Sequence, residues 1–261
     1  MTRRHFLASS TTLAAVSAAG TAGAQTENTR VERDIYELRR YVVRVGDQRS
    51  TTSEYLENAL VPALGRARLG PTGVFNVTFG NPGIVVLITH RNSESVVTLG
   101  GRLAQDPAYV KAAAPFREGT ASSPTFERVE SSLLVAFEGM PRVEAPDTSQ
   151  RRIFELRRYE QPSEMTHLKK MEMFNTGGEL SIFRRVGLTP VFFGQTVVGQ
   201  RMPCFEYLLT FPSASEREAR WAAFRDDSEW KALSSREEYL DARIMSSITS
   251  VILSPAAASQ I

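Results

Sequence analysis

The chain has one cysteine, Cys204, and three histidines among 261 residues. A single cysteine excludes an intrachain disulfide, and so small a set of soft ligands excludes the usual closed zinc site. No G-x-S-x-G nucleophile elbow occurs. The glycine pairs Gly100-Gly101 and Gly177-Gly178 lie inside helical patterns with no strand just before them, so neither reads as a phosphate loop. Beyond the first 25 residues no stretch is long and apolar enough to cross a bilayer. An excess of charge is lacking too. Without those residues, which hold two arginines and no acid, the chain carries 29 basic and 29 acidic side chains. A neutral chain with interspersed charges has no electrostatic footprint for nucleic acid or an anionic membrane.

What is present begins with a leader. Residues 1–25 combine Thr2-Arg3-Arg4-His5-Phe6-Leu7, a weakly apolar stretch and the small-x-small site Ala22-Gly23-Ala24. This run resembles a twin-arginine export signal, which implies a periplasmic or secreted protein and no membrane attachment once the signal is cleaved.

The rest of the chain is written twice. IYELRRYVV at residues 35–43 returns as IFELRRYEQ at residues 153–161, and residues 89–112 align without a gap on residues 210–233. A period of about 118 residues exceeds that of a solenoid and matches a small domain. The boundaries are a first domain at 33–138, a linker at 139–151, a second domain at 152–254 and a flexible tail at 255–261. Each domain reads strand, helix, two strands around a hairpin, helix, strand. The first helix is expected to open at the capping box Thr51-x-x-Glu54, with Pro62 kinking or ending it. Its counterpart over 164–186 is weakened at Gly177-Gly178. The turn Asn81-Pro82-Gly83 joins the two middle strands of the first domain.

The order β-α-β-β-α-β is the ferredoxin-like split unit, an antiparallel sheet with helices on one face. The fold class is therefore α+β. Two such units cover each other's bare face, packed sheet to sheet as an α/β barrel. A monomer that is its own pseudo-dimer becomes possible on this plan, and a homodimer stays open.

The repeated motifs Tyr36-Glu37-Leu38-Arg39-x-Tyr41 and Phe154-Glu155-Leu156-Arg157-x-Tyr159 resemble the opening strand of NIPSNAP domains. The segments Asp106-Pro107-x-Tyr109 and Asp227-Ser228-x-Trp230 are similar to that family as well. The resemblance implies a dimeric α/β barrel with a cleft between two sheets. The wider fold group includes monooxygenases and haem enzymes, and some family members are described as interaction proteins.

Strand alternation sorts the motif. Tyr36, Leu38, Phe154 and Leu156 are expected under the helices. Glu37, Arg39, Tyr41, Glu155, Arg157 and Tyr159 are then expected on the inter-sheet face, where they bind a small anionic or carbonyl-bearing ligand or pair as structural ions that set register. No cofactor is expected. A haem would need His167 or Cys204 as its axial ligand in the second domain, and both read as plain core or surface residues. His90 is expected to face solvent, and Trp221 and Trp230 to pack. Ligand binding is the reading adopted; a protein partner, as a structural or interaction module, and a monooxygenase-like enzyme are the alternatives.

Overall fold

A computed structural model describes residues 32–80 and 82–261; the leader and Asn81 of the hairpin turn lie outside the described residues. The first half runs β1 (Ile35–Val42), α1 (Asp47–Tyr55), α2 (Val61–Arg66), β2 (Thr72–Val77), β3 (Gly83–His90), α3 (Ser93–Ala104), α4 (Pro107–Arg117) and β4 (Arg128–Ala136). The second runs β5 (Ile153–Glu160), α5 (Glu164–Asn175), α6 (Glu179–Arg185), β6 (Thr189–Val198), β7 (Cys204–Phe211), α7 (Ala214–Asp226), α8 (Ser228–Ser234), a 3-10 turn at Glu237–Tyr239, α9 (Asp241–Ile244) and β8 (Ser247–Pro255).

The expected strand–helix order thus holds in both halves, and local chemistry explains most of it. Gly177-Gly178 separates α5 from α6, with Gly178 left-handed at φ 102°. Asp106 and Asp227 accept from the backbone N–H of Tyr109 (3.1 Å) and Trp230 (2.9 Å), so the Asp-x-x-aromatic segments are helix N-caps. Between α1 and α2 the backbone widens into a π-helical turn at Leu56–Leu60. Pro62 has no N–H to donate and its ring crowds the preceding turn, so the widened turn accommodates it without ending the helix. Thr51 does not open α1, which starts at Asp47 after Gly46. Gln48 anchors this earlier start by accepting from Arg44 N–H (2.8 Å) and donating to Glu127 (2.9 Å).

The eight strands form one closed antiparallel barrel in the order β1-β3-β2-β8-β5-β7-β6-β4. Each half supplies four adjacent strands, and the halves join along two seams. One pairs Phe75, Asn76 and Val77 with Pro255, Ser254 and Leu253. The other joins β4 to β6 from Leu133 to Ala136. Closure leaves no long sheet edge to pair elsewhere.

The faces are the reverse of the expectation. Tyr36, Leu38, Phe154 and Leu156 point into the bore, packed with Phe75, Leu87, Leu134, Phe192, Leu208 and Leu253 from both halves. Tyr41 and Tyr159 belong instead to two separate cores under the helices. Both faces of these strands are buried, so alternation separates two sets without saying which faces where. Bore width decides it: an eight-stranded barrel has room only for its own interior side chains, and the bulky apolar set fills it.

The tail is a second correction. Residues 255–261 are packed, and Ile261 is fully buried in the bore. Gln260 N–H donates to Thr72 O (2.9 Å) and its side-chain oxygen accepts from Thr72 N–H (2.8 Å), while Arg152 donates to Ile261 O (2.9 Å). Val143 of the linker packs against the same core. Beside it Asp34, fully buried, accepts from Arg91 and Arg142, both at 2.7 Å. One end of the barrel is therefore plugged.

Deleting residues 259–261 removes that plug and five hydrogen bonds to the rest of the protein, Val74 N–H to Ser259 Oγ among them. The expected cost is about 3 kcal/mol, read as a lower urea midpoint at unchanged slope. An unchanged midpoint would mean the plug adds nothing to the barrel's stability.

Candidate functional site

Two kinds of polar cluster emerge from the repeated strand, one on each face. On the helix side of the first half, Glu37 accepts from Arg39 Nε (2.6 Å), Arg39 Nη2 (3.0 Å) and Ser131 Oγ (3.0 Å). His90, expected in solvent, is fully buried 3.6 Å from Glu37, with its Nδ1 on Ser95 Oγ (3.0 Å). Tyr41 packs edge-on to Phe116, beside the hydrogen-bonded hydroxyls of Tyr55 and Tyr109.

The second half elaborates the same plan. Glu155 accepts from Arg157 Nη1 (2.9 Å), Arg217 Nε and Nη2 (2.7 and 2.8 Å), Trp221 Nε1 (2.7 Å) and Ser250 Oγ (2.6 Å). Arg217 and Trp221 align with Val96 and Gly100, so this half has gained polar partners that the first lacks. Arg157 stacks over Trp221 (4.6 Å) and Tyr159, whose hydroxyl accepts from Tyr207 (3.0 Å). Below lies a buried Lys170 with Glu179 at 3.5 Å and Asp241 at 3.6 Å, ringed by Tyr159, Phe174 and Trp230. Burial raises the Glu179 carboxyl to about 7 despite the Lys170 charge. Burial disfavours the charged Lys170 ammonium, but Glu179, Tyr159 and Asp241 outweigh it and hold the group protonated.

The six residues expected to line an inter-sheet cleft are therefore not brought together. Glu37, Arg39 and Tyr41 lie under the helices of one half, and Glu155, Arg157 and Tyr159 under those of the other. Each carboxylate is paired with the arginine two residues on, and neither set faces the bore. His167 and Cys204 are also kept apart. His167 lies under the helices on Gln161 (2.7 Å), whereas Cys204 is on the bore side of β7.

The bore-side cluster was missed by the sequence reading. Its members are the second arginines of the two motifs, Arg40 and Arg158, which alternate with Arg39 and Arg157. Both donate to the carboxylate of Glu206: Arg40 Nη2 to Oε2, and Arg158 Nη2 to Oε1 at 3.1 Å. Glu206 is 1% exposed. Strand register pairs Arg158 with Glu206 but Arg40 with Val85, so one carboxylate serves two equivalent guanidiniums. The cavity here has a volume of about 400 Å³. Four arginines line it (Arg40, Arg128, Arg158, Arg201) against two carboxylates (Glu130, Glu206), with Leu156 and Val251 as apolar wall. Arg128 pairs with Glu130 (2.7 Å), and Arg201 reaches Glu160 at 3.4 Å. The buried Nε of Arg158 has no partner. This end is open where the other is plugged. The signal available in the sequence was the doubled arginine itself, which puts one guanidinium on each face of a strand buried on both.

The helix-side carboxylates make an acid-stability prediction. Burial alone would raise both, but the close His90 ring and the Arg39 hydrogen bonds at Glu37, and hydrogen bonds from Arg217 and Ser250 at Glu155, outweigh it and lower each from 4.5 to about 2. Between these values the unfolded chain binds more protons than the folded one. The stability present above pH 4.5 is thus lost as pH falls towards 2. Glu155→Gln is expected to cost on the order of 3 kcal/mol at neutral pH and to make the loss over that acid window shallower. Urea midpoints across the window check it; an equal slope in wild type and variant would rule out the Glu155 contribution.

With the geometry in hand, comparison with known proteins locates the family. Residues 154–260 match the NIPSNAP family model. No curated protein matches the chain in sequence. Among solved structures, a Fusobacterium nucleatum protein provisionally named a monooxygenase is 6% identical, with 87% of this chain and 94% of that one covered at a TM-score of 0.59. A Lactobacillus acidophilus protein of the same provisional name is 11% identical, with 86% and 94% covered at 0.55. A NIPSNAP family protein from Agrobacterium tumefaciens is 19% identical and covers 42% of this chain and 99% of its own, at 0.38. Residues 154–260 thus resemble the NIPSNAP family, and they stand in an α/β barrel whose fold is shared with proteins provisionally named monooxygenases.

Proposed function

We propose that this protein is exported and binds a small anion at the open mouth of its barrel, with the first half a diverged second copy of the NIPSNAP unit. The carrying observation is the convergence of Arg40 and Arg158 on Glu206 inside a cavity where arginines outnumber carboxylates four to two. Guanidinium forks suit carboxylate and phosphate oxygens, and Glu206 already holds one carboxylate between the two. Its position models how a ligand anion would be held. A cavity of this size lies within the range for small ligands.

Arg40→Gln and Arg158→Gln are each expected to weaken binding of inorganic phosphate or acetate at least tenfold, since charge-assisted hydrogen bonds contribute about 1.5–3 kcal/mol. Titration calorimetry at fixed low salt reads this, with circular dichroism as the folding control. Glu206→Gln leaves two guanidiniums without a counter-charge. It is expected to lower the thermal midpoint and to recover more of it with added phosphate than wild type gains. Phosphate and acetate binding that ignores all three substitutions would refute the site. For export, replacing Arg3 and Arg4 with lysine is expected to strand the chain in the cytoplasm. Undiminished recovery from the periplasm would exclude the twin-arginine route.

A further inference from the structure

The barrel mouth has an apolar rim as well as a basic interior. Seven of the twelve large apolar side chains exposed among the described residues stand on strand ends and loops at this end, among them Phe79, Val198, Met202 and Ile248. None stands at the plugged end; the other five lie on α3, α4, α5 and at Leu240. These rim residues are interleaved with the cavity wall. Met202 follows Arg201, a wall residue. Val77 is opposite Leu253 and Thr78 N–H donates to Ile252 O (3.0 Å), so the register carries Phe79 to the level of Val251, another wall residue. Phe79 is 77% exposed. An exposed apolar ring around a charged cavity marks a contact surface of mixed chemistry.

Three occupants could cover such a ring, and charge and depth choose among them. A second copy would bring an identical basic mouth against this one, arginine facing arginine. A bilayer surface would meet the rim, but Arg40 lies two residues inside the end of β1, about 7 Å along the strand, beyond the reach of a headgroup held in the membrane plane. A free molecule with one anionic end and one apolar chain meets both conditions. Resting on the anion-site reading above, we propose that the ligand is a single-chain aliphatic carboxylate. Its head lies in the cavity beside Glu206, against the guanidiniums of Arg40 and Arg158, and its chain leaves the mouth across Phe79, Val198 and Met202.

The test is a calorimetric series from acetate through butyrate, hexanoate and octanoate to decanoate, each below its micelle concentration. Affinity is expected to rise about twofold or more per added methylene once the chain reaches the rim, as burial of apolar surface requires. Phe79→Ser and Met202→Ser should flatten that rise and leave acetate affinity unchanged. Val97→Ser, equally exposed but on α3, should leave the whole series unchanged. Acetate binding with no dependence on chain length would overturn the amphiphile while leaving the anion site standing. No carboxylate binding at all would overturn both. Octanoate binding that survives Arg158→Gln would put the ligand elsewhere and overturn the proposal. So would sedimentation with anionic phospholipid vesicles that octanoate does not compete away, or a dimer that Phe79→Ser dissolves.

Discussion

Closing eight strands into a barrel wrapped by helices buries both faces of β1, β3, β5 and β7. That constraint governs the rest of the molecule. A strand in an open sheet can send its charges to water on one side; here the repeated Glu-x-Arg-Arg segment has no such side. Each of its charged groups needs a partner within hydrogen-bond reach, because an isolated buried charge costs several kcal/mol. The chain meets this demand differently on the two faces. Towards the helices, carboxylates are over-supplied with donors, and Glu155 accepts from five atoms of four residues. Towards the bore, two arginines share a single acceptor.

The helix-side networks act as clamps. Glu155 ties β5 to α7 through Arg217 and Trp221 and to β8 through Ser250, so strand and helix cannot slide without breaking a desolvated set of bonds. Glu37 ties β1 to β4 through Ser131, with His90 of β3 buried alongside, and its environment has no arginine from a helix. The second half is correspondingly richer in aromatic packing around Phe174, Phe183 and Tyr207. A buried Lys170 among those rings is tolerable only because Glu179 and Asp241 stand near it and its stem lies against apolar surface. The Glu37 and Glu155 carboxylates are engaged within the protein, which is why they offer a ligand little.

Much of the architecture was legible in residues. The doubled IYELRRY and IFELRRY segments announced two equivalent units, and Gly177-Gly178 marked the α5–α6 break. The failures share a physical cause: they concern what lies beyond a segment's own neighbourhood. Which face of β1 meets the bore depends on what the other half brings there, and both candidate faces were plausible from alternation. Thr51-x-x-Glu54 has the form of a capping box, yet Gln48 bonding to Arg44 and Glu127 starts the helix a turn earlier. The tail carries no strong pattern, and only the end of the bore opposite the arginine cavity gives Ile261 a place to bury. Arg40 and Arg158 were visible as doubled arginines, but their meeting at Glu206 is a contact across 166 and 48 residues of chain.

Glu206 is where the repeat breaks its symmetry, and the break carries the chemistry. The pseudo-symmetric barrel gives each half one bore-facing arginine at the same level. Were Val85 also a glutamate, two carboxylates would neutralise two guanidiniums and the cavity would have no preference for an anion. Were Glu206 a valine, two part-buried guanidiniums would face one another unpaired, a cost the fold could carry only with an anion always bound. One glutamate for two arginines is the intermediate state. It keeps the empty barrel stable and leaves the mouth electropositive, with Arg128 and Arg201 nearer the rim, each drawn towards a carboxylate of its own. A barrel formed by two similar halves of one chain can carry such an odd residue. A barrel made of two identical chains would have to place it twice or not at all.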